Sequence, residues 1–293
     1  MFSGSLVAIA TPMKPDGALD FAAWSALIDW HLQNATAGIV VGGTTGESAT
    51  LTDDELATLA ERACSAVRRR IAVIAGAGSS STAATVARAR RLSELPVDAL
   101  LIVTPAYNKP TQEGLYRHFA AVAEAAAVPI ILYNIPSRTG VDLLPATVAR
   151  LAQLRGIVAV KEGFAHIERI RELKRLCPPD FAVLSGDDAT AREAVLAGAR
   201  GVISVTANVV PRAMAEMIAA AARGEREKAE RLDSPLANLH HALFLETNPI
   251  PVKWSLERMG LIERGIRLPL TELDPRHHAT LTSALREAGA LQG

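Results

Sequence analysis

The chain has 293 residues, 49% of them hydrophobic, and its 31 Lys+Arg are balanced by 31 Asp+Glu. That is ordinary globular composition with ample material for a large core, and the zero net charge gives no sign of a nucleic acid or other polyanionic partner. No apolar run reaches the roughly 18 residues a membrane span needs, and residues 1–13 lack the basic and apolar regions of a signal peptide, so a cytoplasmic location is expected.

In chain order, a strand at 5–10 precedes a helix at 21–33 with Asp20 as its N-cap. A short apolar strand at 38–41 leads into GGTTGES (42–48). Thr52 and Glu55 then form a capping box for a helix reaching about residue 69. Arg68, Arg69 and Arg70 suit a helix C-terminus, where cations are favoured. Strands at 71–75, 99–103 and 129–133 alternate with helices at 81–95, 112–126 and 145–154. An apolar strand at 157–160 ends against Lys161, with a helix at 165–176 beyond it. Strands at 181–184 and 201–204 are followed by helices reaching residue 197 and spanning 211–223. Eight such units, without a composition break, predict an α/β fold of the (β/α)8 TIM-barrel type over 1–224, in preference to a doubly wound sheet. The helical pattern at 225–246, 251–259 and 271–288 predicts a C-terminal helical region over 225–293.

In a barrel the loops after the strands build the site. Thr44 and Thr45 follow strand two, Tyr107 follows strand four, and Tyr133 ends strand five with Arg138 just beyond. Lys161 ends strand six, Gly186 follows strand seven, and Ile203 ends strand eight. Two of the chain's three tyrosines fall in this set. A lysine with its head in water is the ordinary reading of Lys161. Beside hydroxyls and a guanidinium at a barrel mouth it reads instead as an amine nucleophile for a small keto acid, because loss of surrounding water favours the neutral amine that attacks a ketone. Tyr133, with Thr44 and Tyr107 as relays, is a candidate proton shuttle. Peptide N–H groups and the Thr45 hydroxyl can hold a carboxylate.

Each residue also has a plainer reading. The two tyrosines fit a core equally well, Arg138 fits a surface ion pair, and GGTTGES is neither a P-loop nor a dinucleotide fingerprint. Asp187 and Asp188 fit helix N-capping better than a metal pair. His240-His241 and His277-His278 read as surface or interface residues. Cys64 and Cys177 sit in no C-x-x-C, and no spacing suggests zinc.

Several segments together carry a resemblance: AIATPM (8–13), GGTTGESATL (42–51), VTPAYNKPTQEGLYRHF (103–119), ILYNIPSRTG (131–140), VKE (160–162), LSGDDA (184–189), GVISVTANV (201–209), NPIPVKW (248–254) and RLPL (267–270). The chain resembles the dihydrodipicolinate synthase family, within the pyruvate-dependent class I aldolases that include N-acetylneuraminate lyase. The resemblance implies a lyase of lysine and diaminopimelate biosynthesis, condensing pyruvate with L-aspartate 4-semialdehyde. It implies a Schiff base on Lys161 and proton transfer by Tyr133 through Thr44 and a neighbouring subunit's Tyr107. Thr45 is then placed at the pyruvate carboxylate, Arg138 at the aldehyde's carboxylate, and the Ile203 backbone and Gly186 against the substrate. A homotetramer built from tight dimers and no metal or organic cofactor are further implications.

Departures accompany the match. The family's stretch after the lysine resembles K-E-A-T-G-N or K-x-x-S-G-D, whereas this chain reads Lys161-Glu162-Gly163-Phe164-Ala165-His166, and Ala106 stands where a tyrosine is frequent. Lysine-inhibited relatives carry polar or aromatic residues where this chain has Asp53, Leu56, Ser80, Ala84 and Ala106, so weak or absent feedback by lysine is expected. A related aldolase or dehydratase acting on a keto-sugar acid, and a non-catalytic keto-acid-binding regulator, are the rival readings.

Overall fold

The computed structural model describes residues 2–291. Eight parallel strands close into a barrel in sequence order: β1 Gly4–Ala8, β2 Gly38–Val41, β3 Ala72–Gly76, β4 Ala99–Val103, β5 Ile130–Asn134, β6 Ile157–Glu162, β7 Ala182–Ser185 and β8 Gly201–Ser204. Around it run α1 Phe21–Gln33, α2 Asp53–Val67, α3 Thr82–Ser93, α4 Gln112–Ala125, the one-turn α5 Pro136–Thr139, α6 Pro145–Leu151, α7 Ile167–Leu176, α8 Ala191–Leu196 and α9 Pro211–Ala222. The helices after Gly224 are α10 Arg226–Asp233, α11 Ala237–Ala242, α12 Ile250–Arg258 and α13 His278–Glu287. No helix among the described residues is long and apolar enough to cross a membrane.

Side chains alternate across each strand, and the two resulting apolar layers are distinct. Leu6, Val40, Ile74, Leu101, Ile131, Ala159, Leu184 and Ile203 fill the barrel interior. Their strand neighbours, such as Val7, Ile39, Leu132 and Val160, pack outward against the helices. This parity sends Lys161 inward, two residues beyond Ala159, and sends Glu162 outward.

Local chemistry sets the ends. The Thr52–Glu55 capping box is present at α2, and Asp20 accepts the backbone N–H groups of Ala22 and Ala23 at α1. Arg70 reaches back to the Val67 and Ala66 carbonyls at 3.0 and 2.9 Å, covering acceptors left open where α2 ends. Two expected helices are divided. The pattern at 225–246 becomes α10, a 3₁₀ turn over Ser234–Leu236 and α11, because Pro235 cannot supply a helical N–H. Residues 271–288 become a 3₁₀ turn over Pro275–His277 followed by α13. Strand β6 runs two residues further than its apolar pattern, so Lys161 and Glu162 lie within it rather than beyond it.

Candidate active site

Tyr133 and Lys161 are opposite one another in the β5–β6 register, and Lys161 is opposite Leu184 of β7. The register and the inward parity bring the two side chains together, with Lys161 Nζ 4.3 Å from the Tyr133 ring centroid. Both residues are buried, at 6% and 5% exposure. Two lysines are buried among the described residues, and they are treated differently. Lys253 is paired with the carboxylate of Glu47, whereas Lys161 has no acidic partner among the described residues and meets an aromatic face instead.

Gly186 explains how the lysine fits. A Cβ there would stand 3.1 Å from Lys161 Cε and 3.0 Å from both the Glu162 carbonyl oxygen and Gly163 Cα. A side chain there would press on the lysine and on the β6 backbone, so glycine eases the close approach of the β7 loop to the lysine. Ile203, on the interior face of β8, is buried beneath the same mouth.

The stretch after Lys161 is tied down by Glu162. This carboxylate accepts the Phe164 N–H at 2.8 Å and the Asn134 amide at 3.1 and 3.2 Å; the same amide donates to Asp142 at 2.7 Å. Arg169 pairs with Asp142 at 2.7 Å and lies 5.2 Å from the Phe164 ring. Burial pushes the Glu162 carboxyl up to about 7, against the opposing effect of the Phe164 N–H, the Asn134 amide and the Arg169 charge. The divergent segment 163–166 is therefore an anchored turn, with Phe164 and His166 in ring contact at 4.4 Å.

In the threonine turn, Gly46, Glu47 and Ser48 N–H groups return to the Gly43 and Thr44 carbonyls at 3.1–3.3 Å. Gly42 has φ +62°, and a Cβ on it would overlap Leu56. Thr45 is buried and its hydroxyl accepts the Asn248 amide at 3.0 Å; Thr44 is half-buried. Arg138 is exposed on α5 and donates to the Asn248 carbonyl at 3.3 Å. Tyr107 does not join the others within the chain: it is 95% exposed, with φ +70°.

At the opposite end of the barrel, a cavity of about 490 Å³ is lined by Phe2, Asp98, Pro129 and Phe181 among others. It opens at the N-terminal ends of the strands, away from every residue described above. No cluster of three or more His, Cys, Asp or Glu among the described residues is arranged to hold a metal ion.

The sequence model of the Dihydrodipicolinate synthetase family matches residues 1–288. The chain belongs to this family. Within the family's range of sequences, it is 54% identical to the 4-hydroxy-tetrahydrodipicolinate synthase of Alkalilimnicola ehrlichii, over 99% of this chain and 100% of that relative. It is 51% identical to the enzyme of the same name from Pseudomonas aeruginosa, again over 99% and 100% of the two chains. Among solved structures, the chloride-inhibited dihydrodipicolinate synthase from Acinetobacter baumannii complexed with pyruvate superposes with a TM-score of 0.98 at 46% identity, covering 99% of this chain and 100% of that one.

Within this member of the family, several outlying residues take places that differ from expectation. Asp188 does not cap a helix; it accepts the Val205 and Thr206 N–H groups at 2.9 and 2.8 Å and so ties the β7 loop to the β8 loop. Asp187 accepts the Thr190 N–H at 2.9 Å, just ahead of α8. His240 is not a surface residue: it is buried between Thr206 at 2.9 Å and Asp233 at 3.2 Å. Asn248 and the Glu47–Lys253 pair were not legible as parts of the site. Their partners lie 203 and 206 residues away in sequence, and no local pattern joins them.

Proposed function

We propose that this chain catalyses the condensation of pyruvate with L-aspartate 4-semialdehyde to give 4-hydroxy-tetrahydrodipicolinate, the committed step of lysine and diaminopimelate biosynthesis. The observation that carries the proposal is a buried lysine without an acidic partner, placed against a tyrosine at the mouth of a barrel whose chain belongs to the dihydrodipicolinate synthetase family.

Lys161 attacks the pyruvate carbonyl to give a carbinolamine, which loses water to form an imine. The imine draws electrons from the neighbouring methyl carbon, which loses a proton and becomes the nucleophilic enamine carbon. That carbon attacks the aldehyde, whose oxygen takes up a proton. The aldehyde partner's own amine then attacks the imine carbon, closes the ring and releases Lys161. Tyr133 stands where these protons must pass, and Thr44 and Tyr107 extend the relay. Thr45 and the peptide N–H groups of its turn bind the keto-acid carboxylate. Gly186 and the Ile203 backbone shape the pyruvate pocket, and Arg138 supplies a guanidinium for the carboxylate of the aldehyde partner.

Tyr107 supports a homotetramer assembled from tight dimers. A tyrosine 95% exposed on left-handed backbone is poorly placed in a lone chain but well placed to enter a neighbouring copy's site. The same reading puts the protein in the cytoplasm.

Turnover tests the reading. A coupled assay with pyruvate and aspartate semialdehyde should show product formation at a rate far above that with keto-sugar acids. Faster cleavage of a keto-sugar acid, with no condensation of the semialdehyde, would overturn it.

A further inference from the structure

Thr45 has one hydroxyl hydrogen, and a carboxylate can only accept. The keto acid is therefore held by Thr45 only while that hydrogen points toward it. Asn248 governs this choice. Its amide nitrogen lies 3.0 Å from Thr45 Oγ1 and donates into the oxygen, which leaves the threonine's own hydrogen free. With the amide reversed, the asparagine oxygen would take that hydrogen and silence the threonine. Both residues are more than nine-tenths buried, so water does not substitute easily for the missing donor.

The surroundings hold the Asn248 backbone: its main-chain carbonyl accepts Arg138 at 3.3 Å, so the same residue reaches both carboxylate-binding side chains. Among the described residues its side-chain oxygen meets no hydrogen-bond partner, and its amide nitrogen is engaged by Thr45. It lies two residues ahead of α12, and on that helix Lys253 forms a buried ion pair with Glu47, two residues beyond Thr45. The other Glu47 oxygen accepts the Arg267 N–H at 3.1 Å. Residues 248–267 thus hold the threonine turn at three points.

We propose that Asn248 is a positioning residue that orients the Thr45 hydroxyl as a donor to the keto-acid carboxylate, with the Glu47–Lys253 pair fixing the distance between them. This rests on the reading of Thr45 given above, and the test separates the two. The assay is borohydride trapping of pyruvate on Lys161 as a function of pyruvate concentration. If the unaltered protein yields no adduct, the pyruvate reading itself fails.

If it does, Asn248→Ala should raise the half-saturating pyruvate concentration by roughly 3- to 10-fold, the loss of one oriented hydrogen bond. In a Thr45→Val background the same change should add less than about two-fold, because no hydroxyl remains to orient. A general loss of packing would act equally in both backgrounds, and equal effects would overturn the proposal. Asn248→Asp keeps the side-chain shape and serves if the alanine variant does not fold. Its carboxylate accepts the threonine hydrogen, so trapping should be weaker than in the unaltered protein, and unchanged half-saturation would overturn the proposal equally.

Discussion

Replacing Glu162 with glutamine should reverse the protein's relative stability between acidic and alkaline pH. Glu162 is 1% exposed, on the outer face of β6 beside Lys161. Burial raises its pKa from 4.5 to about 7, so the folded state binds more protons than the unfolded state between those values. Stability contributed by the protonated carboxyl is complete below pH 4.5 and is lost as pH rises through about 7. A displacement of that size corresponds to about 3 kcal/mol. Glutamine keeps one carbonyl acceptor for Asn134 and Phe164 and cannot ionise. It gives up one of the shared hydrogen bonds, costing about 1 kcal/mol at every pH. Glu162→Gln should therefore be about 1 kcal/mol less stable than the parent at pH 4, about equal to it near pH 5 and about 2 kcal/mol more stable at pH 8.5. Urea denaturation of both proteins at equal concentration across this range measures the difference. A difference that stays constant with pH, or a parent that gains on the variant as pH rises, would refute the burial argument.

Other consequences follow from the same geometry. Gly186→Ala places a Cβ 3.1 Å from Lys161 Cε and 3.0 Å from the Glu162 carbonyl oxygen and Gly163 Cα; a loss of about 1–3 kcal/mol of stability and a fall in trapped pyruvate adduct are expected, readable by denaturation and mass spectrometry. Arg138→Ala should raise the half-saturating semialdehyde concentration by roughly 10- to 100-fold while sparing pyruvate trapping; loss of trapping would mean that Arg138 serves the keto acid. Lysine should inhibit weakly or not at all, since Ala84 and Ala106 offer it no polar group, Asp53 is engaged by Arg88 at 2.7 Å and the Ser80 carbonyl by Asn108 at 3.0 Å. Steady-state inhibition by sub-millimolar lysine would contradict this.

What was legible in the sequence was local. The alternation of apolar strands and capped helices is written over windows of a few residues, and Thr52, Asp20 and the apolar run before Lys161 all carry their signals within one turn or one strand. The motif residues could be assigned to strand ends because each follows such a run. Two kinds of feature escaped. One was the limit of an element set by a single residue, as at Pro235, where a helical pattern continues across a proline that breaks it. The other was polar burial created by long-range contact. Glu162 looks like an ordinary strand-end glutamate until Asn134 and Asp142 close around it. Likewise Lys253 and Glu47 lie on opposite sides of the chain's length and become neighbours only when α12 packs over the threonine turn. Tyr107 shows the same limit in another form, since the loop leaves it in solvent and its proposed partners belong to a second copy.

The decisive measurement is at Lys161. The protein should be incubated with pyruvate, reduced with borohydride and digested, and the modified residue located by mass spectrometry. A single reduced pyruvate adduct on Lys161, absent from Lys161→Ala and not transferred to the other buried lysine, Lys253, is the predicted result. An unmodified Lys161, or an adduct distributed over exposed lysines, would contradict the assignment of this residue as the nucleophile.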